Sequence, residues 1–162
     1  LFRAFQALHC LSLDEFAALQ KQELDRLKEI SREKEHWLNI ANHLLAREKT
    51  VELLAAPYAG TKGAPACDKL VHGIRAQGDR MHDLLVVNQA VAARDLMLAV
   101  KTQSMIQRQG EALNMTGGFG TSSQSGVLRY LQDQVEALQA ISSANENLLL
   151  LICSLENLSK RI

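Results

Sequence analysis

Apolar residues recur along this chain at gaps near three and four, not two. From Phe16 the run continues through Leu19, Leu24, Leu27, Ile30, Trp37, Leu38, Ala41, Leu44, Leu45, Val51 and Leu54. That spacing is the buried stripe of an amphipathic helix. Ser12 and Glu15 match the S-x-x-E capping box, and Leu11 with Phe16 matches the hydrophobic staple, so the pattern predicts a helix start at Ser12. The alternative is that residues 1–11, with Phe5 and Leu8, continue the same helix from above. Pro57 ends it, which gives a first helix over 12–56. At about 1.5 Å per residue, Asp14 to Ala55 would span on the order of 60 Å, which favours a rod-like bundle.

Pro65 suits the first turn of a second helix over 65–115. Its stripe is Leu70, Ile74, Met81, Leu84, Val91, Leu98 and Met105, broken by Gln77, Asn88, Asp95 and Thr102. Gly73 and Gly78 each cost about 1 kcal/mol against Ala, which predicts a kink or a frayed start there. The Gly/Ser-rich stretch 116–126 reads as a flexible loop. A third helix follows over 127–161, with a seam of Val127, Leu131, Leu138, Ile141, Leu148, Ile152, Leu155 and Ile162 and polar breaks at Gln134, Asn145 and Ser159. Such a seam packs knobs into holes. The expected fold is all-α: one domain over 1–162, an elongated antiparallel bundle of three long helices with coiled-coil-like packing.

Composition narrows the function classes. Aromatics are 4% of residues, too few for a typical sheet protein, and Leu, Ala, Glu, Gln, Lys and Arg dominate the predicted helices. Formal net charge is +0, without the basic excess of a nucleic-acid binder. Cys10, Cys67 and Cys153 form no C-x-x-C pattern, so neither a disulfide framework nor a zinc site is signalled, and a reducing compartment is the simpler reading. They read as buried or inert thiols. The longest apolar run, Leu148 to Cys153, is too short for a membrane span. No secretory signal is visible, and Leu1 in place of Met leaves room for a stretch before it.

Two pairs, Glu33–His36 and Asp79–His82, have the carboxylate-x-x-His spacing of di-iron bundles. Such sites also need an inward Glu from each of two further helices. Glu136, Glu146 and Glu156 lie off the apolar seam, and His36 sits in the charge run Glu29–Glu35. His9, His43 and His72 read as surface or half-buried residues. The segment 117–126 lacks the Lys of a phosphate loop. The charges from Lys21 to Glu35 pair at helical spacing and read as helix self-support. The expectation is a non-enzyme with no cofactor and no metal.

Unpaired apolar surface is the stronger clue. Beyond its seam the third helix carries Leu128, Leu149, Leu150, Leu151 and Leu158, so its second half is apolar nearly all round. Either it is buried on several sides or part of it meets a partner.

Glu15, Ala18-Leu19, Glu23, Leu24, Leu27, Ile30, Lys34 and Leu38 set out a pattern over residues 15–38 that resembles the FlgN-type flagellar export chaperones, which favour Asp where Glu23 stands. A second element is Leu84-Leu85-Val86-Val87-Asn88, followed by Val91 where the family often has another Asn. The aromatic-Gly pair Phe119-Gly120 is the third. The resemblance covers about residues 5–125, and the helix over 127–162 departs from it. It implies a cytoplasmic bacterial chaperone that holds the C-terminal helices of hook-associated flagellar proteins and delivers them to the type III export apparatus. The candidate partner-binding residues are Leu85, Asn88, Val91, Leu98, Met105, Phe119, Leu149, Leu150, Ile152 and Leu155. The alternative is a structural or scaffolding bundle that acts through homo-oligomerisation.

Overall fold

The computed structural model describes residues 1–46, 64–115 and 122–159. All its regular structure is helical: α1 spans Phe2–Lys21, α2 Leu24–Ala46, α3 Ala64–Met115 and α4 Ser122–Ser159. The expected first helix is therefore two. Residues 1–11 do belong to it, so Ser12 and Glu15 lie inside α1 and cap nothing. The Ser12 hydroxyl donates back to the Leu8 carbonyl at 2.8 Å.

The break lies at Gln22, whose φ of 56° and ψ of 38° are left-handed. The Gln22 amide donates to the Leu19 carbonyl at 3.3 Å and the Glu23 amide to the Ala18 carbonyl at 3.0 Å. These two bonds make a Schellman end. The apolar stripe lapses at the same place: Gln20 to Glu23 are all polar, and the gap from Leu19 to Leu24 exceeds a helical repeat. A continuous helix would carry Leu24 and Leu27 off the buried face. Folding back instead sets Leu24 and Leu27 beside Leu19 in one cluster.

The four helices form two hairpins lying side by side. Asp14 of α1 meets Arg26 of α2 at 3.2 Å across the first turn, so this pair is antiparallel. In the second hairpin Gln89 reaches Ser142 at 2.7 Å and Gln103 reaches Gln132 at 3.1 Å, again antiparallel. Between hairpins the neighbours run parallel. Lys28 pairs with Asp133 at 3.5 Å and Lys34 with Asn145 at 2.7 Å, while Phe2 lies over Gly73 and Ser12 meets Asn88. The charge run of α2 thus also ties it to α1 and α4, beyond the helix self-support expected of it.

Three apolar clusters fill the interface. One gathers Phe5, Leu8, Leu38, Met81, Leu85, Leu148 and Ile152. Another gathers Leu11, Leu19, Leu27, Ile30, Ala92, Leu138 and Ile141. A smaller one holds Ala99, Leu131 and Val135 between α3 and α4. The α3 seam thus runs through Ile74, Met81, Leu85, Ala92 and Ala99, and only its first two apolar members match the expected stripe.

Other expectations also shift. α3 runs unbroken through Gly73 and Gly78, because the glycines lie against Phe2 and Ile152 and the contacts hold the helix there. α4 begins at Ser122, so residues 122–126 of the expected loop are helical. Cys10 and Cys153 are exposed, not buried. Pro57, Phe119 and Ile162 lie outside the described residues.

A non-glycine residue in the left-handed region costs roughly 1 kcal/mol. Gln22→Gly is therefore expected to stabilise the chain by up to about 1 kcal/mol, and Gln22→Val to destabilise it by a similar amount. Urea unfolding checks both, and an unchanged midpoint for Gln22→Gly would contradict the left-handed turn.

Candidate functional site

Between the two larger clusters lies a layer of polar side chains from all four helices. Glu15, Lys34 and Asn145 form a closed ring. The Lys34 ammonium donates to Glu15 Oε2 and to Asn145 Oδ1 at 2.7 Å, and Asn145 Nδ2 donates to Glu15 Oε1 at 2.6 Å. Asn88 sits beside this ring and donates to the Ser12 carbonyl at 2.8 Å. Each of these residues interrupts an apolar seam: Lys34 falls between Ile30 and Leu38, Asn88 between Leu85 and Ala92, Asn145 between Ile141 and Leu148.

Glu15 and Lys34 have no exposed side-chain surface. Burial pushes the Lys34 ammonium below its ordinary value, and the charge and hydrogen bond of Glu15 oppose that shift. A buried acid–base pair in a cleft would suggest catalysis. Here both side chains are fully buried and each charge is met by protein. The arrangement can fix register and orientation. Asn88 Oδ1 and Gln89 Oε1 are buried with no hydrogen-bond partner, so the layer is not fully satisfied.

The metal reading finds no support in the geometry. Among the described residues no group of His, Cys, Asp and Glu is placed to hold an ion. Glu33 lies 4.0 Å from Arg26, and His82 lies beside its neighbour Asp83.

Two surfaces remain. A groove of about 510 Å³ runs between α2 and α4, where Ser31, Glu35, Asn39, Asn42, Ser143, Asn147 and Ser154 line it together with Leu38, Ala140, Ala144, Leu150 and Leu151. Leu150 is 66% exposed in this mixed, more polar than apolar, lining.

The second surface arises from unequal hairpins. α3 and α4 are 52 and 38 residues long, against 20 and 23 for α1 and α2, so the second hairpin outruns the first. The turn at Gln22 marks where cover ends. Heptad lines facing the first hairpin make this visible. On α4, Leu151, Ala144 and Ala137 are buried, and Tyr130, seven residues further, is 49% exposed. Leu148 and Ile141 are buried, and Val127 on the same line is 47% exposed. On α3, Leu84 and Val91 are half-buried, while Leu98 and Met105 are 53% and 62% exposed. Past the point where α1 and α2 stop, Leu98 and Met105 on α3 and Val127 and Tyr130 on α4 thus form a platform of exposed apolar side chains, beside the polar Thr102 and Gln109 that continue the line of Asn88.

The structure sorts the sequence candidates. Leu98 and Met105 belong to the platform, with Val91 at its border. Leu85, Asn88 and Ile152 are core residues, closed to a partner in this arrangement, because α1 packs over α3 and α3 over α4 there. Leu149 and Leu155 are half-buried against the first cluster. Phe119 lies outside the described residues. Tyr130 was missed, although heptad spacing from Ala137 points to it; Val127 was read as seam.

No family model matches the chain, and neither the curated proteins nor the solved structures contain a match. No helix among the described residues is long and apolar enough to cross a membrane.

Removing one member of a buried charge pair leaves the other uncompensated. Lys34→Met alone is expected to cost about 3–5 kcal/mol. Combining it with Glu15→Leu and Asn145→Leu should recover most of that loss. Chemical denaturation of the single and triple variants checks the pair, and a cost below about 1 kcal/mol for Lys34→Met would show that the ring does not form.

Proposed function

We propose that this chain is a helix-binding protein that acts without catalysis, an export chaperone of the FlgN type. It would hold the C-terminal helices of hook-associated flagellar proteins in the cytoplasm and pass them to the type III export apparatus. The observation that carries the binding part is the platform of Leu98, Met105, Val127 and Tyr130, apolar side chains left exposed on a helical hairpin. An amphipathic client helix buries its own apolar face on such a surface and needs no reactive group. The export part rests on the resemblance over residues 15–38 and its two companion elements.

Isothermal titration of the full chain with C-terminal segments of hook-associated proteins tests the proposal. Binding at micromolar affinity or better, at one client per chain, is the expected outcome. Absence of binding, together with concentration-dependent assembly in sedimentation, would replace the chaperone reading with the homo-oligomeric scaffold.

A further inference from the structure

The platform carries a charge bias as well as apolar surface. Between Ala99 and Leu131 the charged residues are Lys101, Arg108, Glu111 and Arg129, three cations against one carboxylate in a chain of zero net charge. Lys101 and Arg108 fall on one heptad line with Arg94, immediately beside the line of Val91, Leu98 and Met105. Arg94 is held by Asp95 at 2.8 Å. Lys101, Arg108 and Arg129 are exposed and make no ion pair among the described residues. Arg26 and Lys28 on the first hairpin meet carboxylates, whereas Arg3 and Arg32 there and Arg75 and Arg80 on α3 are likewise exposed with no ion pair among the described residues, so it is their place beside Leu98 and Met105 that sets Lys101 and Arg108 apart.

Flanking charges beside an apolar seam select partners in helix–helix contacts, because like charges repel across the interface and opposite charges pair. A second copy of this chain on the same face would set these cations against their own duplicates. An acidic helix would meet them with carboxylates. From Leu98 to Ala112 the face is on the order of 20 Å long, enough for three to four helical turns.

We infer that the uncovered end of the α3–α4 hairpin, where α3 ends and α4 begins, binds an amphipathic helix with acidic flanks, seated in the space that α1 and α2 leave free. This rests on the helix-binding reading and names the chemistry of the partner.

Three synthetic helical peptides sharing one apolar heptad face, with Glu, Gln or Lys at the flanking positions, are titrated by fluorescence anisotropy against the full-length chain. The Glu peptide is expected to bind about tenfold more tightly than the Lys peptide, with the Gln peptide between them, and the preference should shrink at high salt. Lys101→Glu with Arg108→Glu should reverse the order. Leu98→Gln with Met105→Gln should weaken all three peptides. Every substituted side chain is exposed, and circular dichroism of each variant confirms that it folds.

Equal binding of the three peptides, or a preference untouched by the charge reversal, would overturn the inference. So would a dimer in sedimentation that Leu98→Gln abolishes, because the platform would then belong to a second copy. Should flagellar client segments bind with an affinity that ignores all four substitutions, helix binding stands and this site falls. Should the Glu peptide bind here while no flagellar segment does, the site stands and the export reading falls.

Discussion

The buried ring of Glu15, Lys34 and Asn145 is the constraint on which the arrangement of this bundle depends. Apolar seams alone tolerate sliding, because a Leu can pack in a neighbouring hole one turn away at modest cost. A buried ammonium cannot. It must find its carboxylate and its amide oxygen, and a shift of one turn would strand a charge in a medium where that costs several kcal/mol. Since the three residues come from α1, α2 and α4, one ring fixes both the register of the first hairpin and its level on the second. Such a ring contributes little net stability over an apolar substitute; what it supplies is discrimination among packings. Asn88 beside it extends the polar layer to α3.

Register has a visible result at the surface. With the ring fixed, the turn at Gln22 falls at one definite height along α3 and α4. Past that height Leu98, Met105, Val127 and Tyr130 are exposed. The platform is therefore a product of two quantities, the level set by the ring and the length of the first hairpin, and neither belongs to the platform residues themselves. Of the positions on which the proposed chaperone resemblance rests, Glu15, Lys34 and Asn88 lie in the polar layer, while the exposed Leu98 and Met105 lie outside the matched elements.

Much of the helical content was legible because local rules and tertiary packing agree. The α4 seam through Leu131, Leu138, Ile141, Leu148 and Ile152 is strict enough that heptad spacing alone finds it. Pro65 falls within the first turn of α3. The split of the first helix was harder, since a left-handed turn usually announces itself with Gly or Asn and here the residue is Gln22. Only the lapse from Leu19 to Leu24 betrayed it. Glu15 and Lys34 were illegible for a different reason: charged residues on helices are nearly always solvated, and these two are 19 positions apart. The platform was legible only in part: Leu98 and Met105 stand among the sequence candidates, whereas Val127 looks like a seam residue until the length of the covering hairpin is known.

The separations closed by the ring also bear on how the chain assembles. Each hairpin is built from contacts between chain neighbours, which form early and at small entropic cost. Lys34 and Asn145 stand 111 positions apart, and Glu15 and Asn145 stand 130 apart. Once each hairpin has formed, joining them closes only the segment between α2 and α3, and it dehydrates two charges in the same step. The docking of α1 and α2 therefore covers one end of the inner face of α3 and α4 and leaves Leu98, Met105, Val127 and Tyr130 exposed at the other.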